Sequence, residues 1–309
     1  MMQRLSGRLA ALLLSLSTSL AMAQTLSLTF DDGLNPDKTP QAAQWNQQLL
    51  EGLGQASIKA MVFPSLARTG GDAGLALVRN WGLQGHAVGN HTASHRSLAD
   101  PALSLQDFIA DVELAEASLR TMPQWTPMLR FPYLKEGDTL EKRDGLRRWM
   151  QSAGYRAAPV SIDASDWYYN QVYAAWLAQG RPEQAQRVKA AYIRHMLDRA
   201  AYYDGLARQV LGRSPAHVML LHTNGLNAAA LPELIAAFVA QGWRFVSPSE
   251  AFQDPLYTEP VNTLPAGESV VWAHAQLQQR PGLRYPAEDD VYERPLLQAQ
   301  GLLPDSLKP

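Results

Sequence analysis

The sequence predicts an α/β protein, a distorted and incomplete (β/α) barrel of about seven strands that carries a helical insertion. Short apolar strands recur between amphipathic stretches, at Leu26–Phe30, Lys59–Phe63, His86–Gly89, Met128–Phe131, Arg156–Val160, Val218–His222 and Arg244–Val246. Helical spacing fills gaps between them, at Pro40–Leu53, Ser104–Met122, Thr139–Ala153 and Leu231–Gln241. Residues able to do chemistry (Asp31, Asp32, His91, His95, Arg130 and His222) fall at or just after strand ends, where parallel α/β folds gather their ligands. Seven strand–helix pairs point to an incomplete barrel, with an open sheet as the alternative that spacing alone leaves standing.

Taken in order, residues 1–23 read as a secretory leader: Arg4 and Arg8, an apolar run from Leu9 to Leu20, then Ala21-Met22-Ala23 as the cleavage site. That run is too short for a lasting membrane anchor, so the expected address is periplasmic or secreted. The first strand then delivers Asp31-Asp32-Gly33. Ser104 with Asp107 reads as one helix start, and Asp138 with Glu141 as another. Tyr168–Arg213 is a helical insertion in which Pro182 and Glu183 suit a helix start. Its stripe of Val188, Tyr192, Met196, Tyr203, Leu206 and Val210 is expected to pack against the barrel. One domain therefore spans 24–255. Residues 256–309 form a C-terminal extension, rich in Pro and Gln, expected to wrap the domain without adding chemistry.

The chain has no Cys, so its export would proceed without disulfides, which a core of this size allows. It carries 27 basic and 29 acidic residues, and the leader takes two of the basic ones with it. That balance excludes an electrostatic affinity for nucleic acid or anionic membranes. Nothing here sets an oligomeric state.

Two adjacent carboxylates at a strand end repel one another, so a cation would explain keeping Asp31 beside Asp32. His91 and His95 stand four residues apart in His-Thr-Ala-Ser-His. Asp plus two His is the ligand set of a metal site with open positions, which points to a metal-assisted hydrolase. Each motif alone has a plainer reading: a turn, a capping residue, or a core histidine. His86, His195, His217 and His274 keep that plainer reading.

Five motifs in order resemble those of the polysaccharide deacetylase family, also called the NodB-homology or carbohydrate esterase family 4 domain. They are Thr29-Phe30-Asp31-Asp32-Gly33, His91-Thr92-Ala93-Ser94-His95, Arg130-Phe131-Pro132-Tyr133, Asp163-Ala164-Ser165-Asp166-Trp167 and Leu220-Leu221-His222. The resemblance spans roughly 26–252. It implies that Asp32, His91 and His95 bind a divalent metal, zinc first, with Co2+, Ni2+, Mn2+ or Fe2+ as alternatives. Asp31 would be the general base, and Arg130 would hold it ionised. The Tyr133 backbone N–H would hold the oxyanion. His222 would protonate the leaving amine, oriented by Asp166 rather than Asp163. Trp167 and Leu220 would wall the acetyl methyl, with Tyr133 and Asp163 also facing substrate, and Tyr168 and Tyr169 would offer faces for sugar rings. The implied partner is an acetylated glycan and the implied reaction is removal of N-acetyl groups from an amino-sugar polymer or oligomer. An O-acetyl esterase acting on a polymer such as xylan, and a non-catalytic carbohydrate-binding protein, are the alternatives. The insertion departs from the family's usual short span between its fourth and fifth motifs, which leaves substrate identity open.

Overall fold

The computed structural model describes residues 24–308, so the expected leader lies outside the described residues. The elements run β1 (Thr25–Asp32), α1 (Ala42–Gln55), β2 (Met61–Pro64), α2 (Leu66–Thr69), α3 (Asp72–Leu83), β3 (Ala87–Asn90), α4 (Leu105–Leu119) and β4 (Trp125–Leu129). Next come β5 (Lys135–Gly137), α5 (Leu140–Ala153), β6 (Arg156–Ala157), α6 (Asp166–Ala178), α7 (Pro182–Leu211), β7 (Ala216–His222) and α8 (Gly225–Ala240). The chain ends with β8 (Arg244–Phe245), α9 (Pro248–Ala251), β9 (Ala266–Gly267), α10 (Val270–Leu277) and α11 (Asp290–Ala299).

The main sheet is parallel, in the order β6-β4-β3-β2-β1-β7, with β8 pairing the start of β1. Beyond β6 the chain stays extended and Ile162 bridges to Met219 of β7. One irregular segment, residues 156–162, thus touches both ends of the curled sheet, and this is the distorted barrel the sequence predicts.

Alternation along β1 decides what faces where. Leu26, Leu28 and Phe30 turn toward the helices, and the Phe30 ring lies 5.1 Å from that of Trp81 on α3. Full burial of such a side chain stabilises the fold by about 1.5–3 kcal/mol. Ser27, Thr29 and Asp31 take the other face and are buried too, so the barrel lumen is polar. Thr29 Oγ1 donates to Met219 O at 2.8 Å there. Gly33, at φ +100°, ends the strand where a Cβ would fall 2.4 Å from the Thr69 side chain.

Several boundaries differ from expectation for local reasons. Helix α3 escapes the sequence pattern because Gly74 and Gly82 weaken its helical signal. Gly74 is required all the same: a Cβ would sit 1.9 Å from Thr69 O. Helix α5 is capped by Thr139, which accepts from Lys142 N at 3.3 Å, while Asp138 pairs with Lys142 Nζ at 3.1 Å. Helix α8 starts at Gly225, not Leu231. Pro232 lies inside the helix, and Asn224 is the cap, accepting from Asn227 N at 2.8 Å. The stripe on α7 packs onto α6, α8 and α10, with Tyr192, Met196 and Tyr203 fully buried.

Helix α7 is tied to the barrel floor through Asp204, which is 4% exposed. It accepts from Arg208 Nε at 2.9 Å and from Gln24 and Ser214, with His217 Nε2 at 3.3 Å. Burial alone would raise this carboxyl, but these donors hold it well below the usual carboxylate range. A depressed folded value contributes stability present above the unfolded value and lost as pH falls. Asp204→Ala is expected to cost about 2 kcal/mol at neutral pH. Urea denaturation should show the gap between variant and parent narrowing below pH 4.

Candidate active site

The strand ends converge on a pocket of about 500 Å3, lined by Asp31, Asp32, His91, His95, Tyr133, Asp163, Trp167, Leu220 and His222. Of the candidate site residues, Arg130 and Asp166 stand behind it, each touching a lining residue. A larger cavity, about 690 Å3, lies between α5, β6 and the C-terminal extension, and holds none of Asp31, Asp32, His91, His95 or His222.

Asp31 and Asp32 close β1. Arg130 is fully buried and each of its three nitrogens donates: Nη1 to Asp31 Oδ1 at 2.9 Å, Nη2 to Thr29 Oγ1 at 3.0 Å, and Nε to Ala158 O at 2.6 Å. Burial pulls the guanidinium value down, and the charge and hydrogen bond of Asp31 work against that fall. The sequence assigns Thr29 no role of its own, although period-2 alternation places it on the Asp31 face.

Asp32 turns away at φ +82°. Its Oδ1 is buried, accepts no hydrogen bond, and lies 3.2 Å from His95 Nε2 and 3.9 Å from His91 Nε2. Ligand atoms of Asp32, His91 and His95 all lie within 4.8 Å of one another. His91 Nδ1 is 2.8 Å from Arg130 O; a carbonyl only accepts, so Nδ1 carries the proton and the Nε2 lone pair faces Asp32. Burial holds this imidazole neutral, down at about 4, against the pull of Asp31 and Asp32. An orphaned carboxylate oxygen beside a neutral nitrogen lone pair fits a divalent cation in its donor chemistry. Arg68, also missed in sequence, reaches to 3.7 Å from Asp32 Oδ1.

His222 closes β7 opposite. Its Nδ1 is 2.6 Å from Asp166 Oδ1, and its backbone N–H donates to Asp166 Oδ2 at 2.8 Å. Asn227 on α8 donates to the same Oδ2 at 2.7 Å. Burial works against charge on the imidazole, but Asp166, by charge and hydrogen bond, with Asp32 and Asp31 farther off, raises it to about 10. Asp163 is half-buried, accepts from Ala164 N at 2.8 Å, and is pushed up by burial.

Trp167 is 42% exposed at the rim and Leu220 forms the floor. Tyr133 sits in the left-handed region at φ 58°, ψ 19°, with its ring 4.8 Å from that of His95. Left-handed backbone at non-glycine residues recurs around the pocket, at Asp32, Thr92, His95, Tyr133, Leu134, Ser165 and Glu268. Such conformations cost about 1–3 kcal/mol each and cluster at functional sites. Two expectations fail. Tyr168 and Tyr169 are 2% and 3% exposed, because α6 turns both rings inward, so neither offers a face to a sugar. The C-terminal extension is also no mere wrapping. Its β9 pairs with β5 beside Tyr133, and Glu268, Pro286, Glu288 and Asp289 line the pocket wall.

The sequence profile described as "Polysaccharide deacetylase" matches residues 21–158. Over that span the chain is similar to the polysaccharide deacetylase family. Among curated proteins similar to this chain is the peptidoglycan-N-acetylglucosamine deacetylase of Bacillus cereus, 25% identical over 74% of this chain and 68% of its own. Among solved structures, a polysaccharide deacetylase from Bacillus cereus aligns with a TM-score of 0.53 and 22% identity, covering 72% of this chain and 91% of its own. The catalytic domain of a peptidoglycan N-acetylglucosamine deacetylase from Eubacterium rectale aligns at 0.52 and 19% identity, covering 78% and 94%. The family profile itself stops short of the insertion and the C-terminal extension.

Proposed function

We propose that this chain is an exported, metal-dependent deacetylase that hydrolyses N-acetyl groups on an amino-sugar glycan. The observation that carries the reading is the convergence on one pocket of the Asp32, His91 and His95 cluster, an Asp31 held by Arg130, and a His222 held by Asp166. The curated relative's action on peptidoglycan N-acetylglucosamine supports the amide over the ester. Asp32, His91 and His95 would hold the dication, zinc by donor type, with Co2+, Ni2+, Mn2+ and Fe2+ accepted by the same set. Bound there, it supplies Lewis acidity at the scissile carbonyl and acidifies water.

The rest falls to the chain's own residues. Asp31 cannot swing away, because Arg130 fixes one oxygen, so its other oxygen is free to take the proton of the attacking water. The oxyanion that forms as the carbonyl is attacked meets the Tyr133 backbone N–H. His222, protonated through the neutral range, passes its proton to the departing nitrogen, which is otherwise a poor leaving group. Leu220 and Trp167 shield the methyl from water, with Asp163 on the substrate side. The leader supports a periplasmic or secreted address, where such glycans lie.

The test is acetate release by zinc-loaded protein across N-acetylated and O-acetylated glycans. Release from an amino-sugar glycan is expected to fall about 10²–10⁴-fold in Asp31→Asn, the span of a lost general base. Chelation is expected to abolish release and to lower Tm, with zinc restoring both; about 2.7 kcal/mol of stabilisation corresponds to metal at a hundred times its Kd. Release from O-acetylated glycans alone would make the protein an esterase. Bound metal with silence on every glycan would favour a binding protein.

A further inference from the structure

The helical insertion and the C-terminal extension meet beneath the loop that carries Asp163 and Asp166. His195 on α7 is 9% exposed, with Nε2 2.8 Å from Ala164 O. A carbonyl only accepts, so Nε2 carries the proton and Nδ1 presents a lone pair. The group facing that lone pair is Glu293 of α11, itself 1% exposed, with Oε2 at 3.3 Å. That oxygen is buried and has no other hydrogen-bond partner. Tyr169 stacks on the imidazole, centroids 4.7 Å apart and planes at 29°. Burial draws His195 down to about 4. Burial pushes Glu293 up to about 7, while Arg284 and Arg199 pull the other way. A neutral imidazole opposite a carboxyl that can keep its proton is the pairing this geometry asks for.

What the pair holds is a strained turn. Ser165 sits at φ 50°, ψ 35°, its hydroxyl buried without a partner. Its neighbour on one side is the Ala164 carbonyl that His195 grips, and on the other Asp166, which grips His222. Left-handed backbone at a non-glycine residue persists only where its surroundings over-determine it.

We propose that His195 and Glu293 are positioning residues, a donor and its tautomer lock, which fix loop 163–166 so that Asp166 stays against His222 Nδ1. Through them the insertion and the extension are working parts of the site. The catalytic meaning rests on His222 acting as the acid in the proposed function, but the contact itself is read without a substrate.

The experiment is a titration of His222 by NMR in the full, histidine-labelled, metal-stripped chain, its resonance assigned with His222→Gln. In the parent His222 is expected to titrate near 10. In His195→Phe, which keeps a ring but donates nothing to Ala164, the value is expected to fall by one unit or more, a tenfold loss of proton affinity. Glu293→Leu is expected to lower it as well, whereas Glu293→Gln, whose amide still donates to Nδ1, keeps the parent value. An unchanged His222 in Glu293→Leu overturns the proposal, as does Glu293→Gln behaving like Glu293→Leu. If His195→Phe does not fold, the two Glu293 variants decide. Failure of acetate release on every glycan would sink the proposed function and leave this titration standing.

Discussion

Arg130→Met is expected to destabilise the folded protein by about 3–5 kcal/mol, the cost of leaving one member of a buried ion pair without its partner. Asp31, at 2% exposure, would face the lumen with no cation against Oδ1, and Thr29 and Ala158 would each lose a donor. Methionine replaces the stem of the side chain but supplies no proton to any of the three. Adding Asp31→Leu to the variant removes the stranded charge and should recover much of the loss, because well-packed apolar groups often replace a buried pair without cost. Urea denaturation of the four proteins in that cycle measures the coupling. A loss below 1 kcal/mol in the single variant would mean that the pair does not organise the lumen. Acetate release is expected to vanish in both variants, so the cycle separates what holds the barrel from what works in it.

Asp166→Asn is expected to cut kcat by about 10²–10⁴-fold and to move its alkaline limb to lower pH. The sign follows from the geometry. As the proposed acid, His222 would act in its protonated form, and the Asp166 carboxylate raises its value to about 10. Activity through this group is therefore present at neutral pH and lost as pH rises through that value. Asparagine still accepts from the His222 backbone N–H but carries no charge, so the imidazole loses its proton earlier. A bound dication lowers the value in parent and variant alike, so the difference between the two pH profiles is the quantity to read. An unshifted alkaline limb would assign the proton donor to another group.

Much of this site was legible because its members sit at sequence positions that a strand end fixes. Asp31, His91 and His222 each close or follow a strand, and a parallel sheet carries all such ends to one face. What stayed hidden depended on tertiary approach. Arg68 lies on the short helix α2, and no periodic pattern points it at Asp32. Asn227 reads as an ordinary residue of an apolar helix, yet the capping of α8 at Asn224 turns it onto Asp166. Tyr168 and Tyr169 misled because aromatic residues next to a motif suit a sugar platform equally well as a helix core. The extension is rich in Pro and Gln and offers no periodicity, so its pairing with β5 and its place on the pocket wall were beyond the reach of pattern. His195 carries no signal in the sequence, since its partners lie 31 residues back and on a different helix.

The pairing of β1 with β7 joins residues about 190 apart in the chain, and the pocket wall is completed by Pro286, Glu288 and Asp289. Closing such long loops adds little to the entropy cost of folding, because that cost grows only with the logarithm of loop length. It weighs instead on rate, since distant parallel pairings form slowly. Helices such as α7 are local and can form early, whereas Asp31 waits for Arg130, His222 and the last fifth of the molecule. The pocket is thus expected to be completed late in folding, and a fragment without β1 or without residues 268–289 would lack part of its lining.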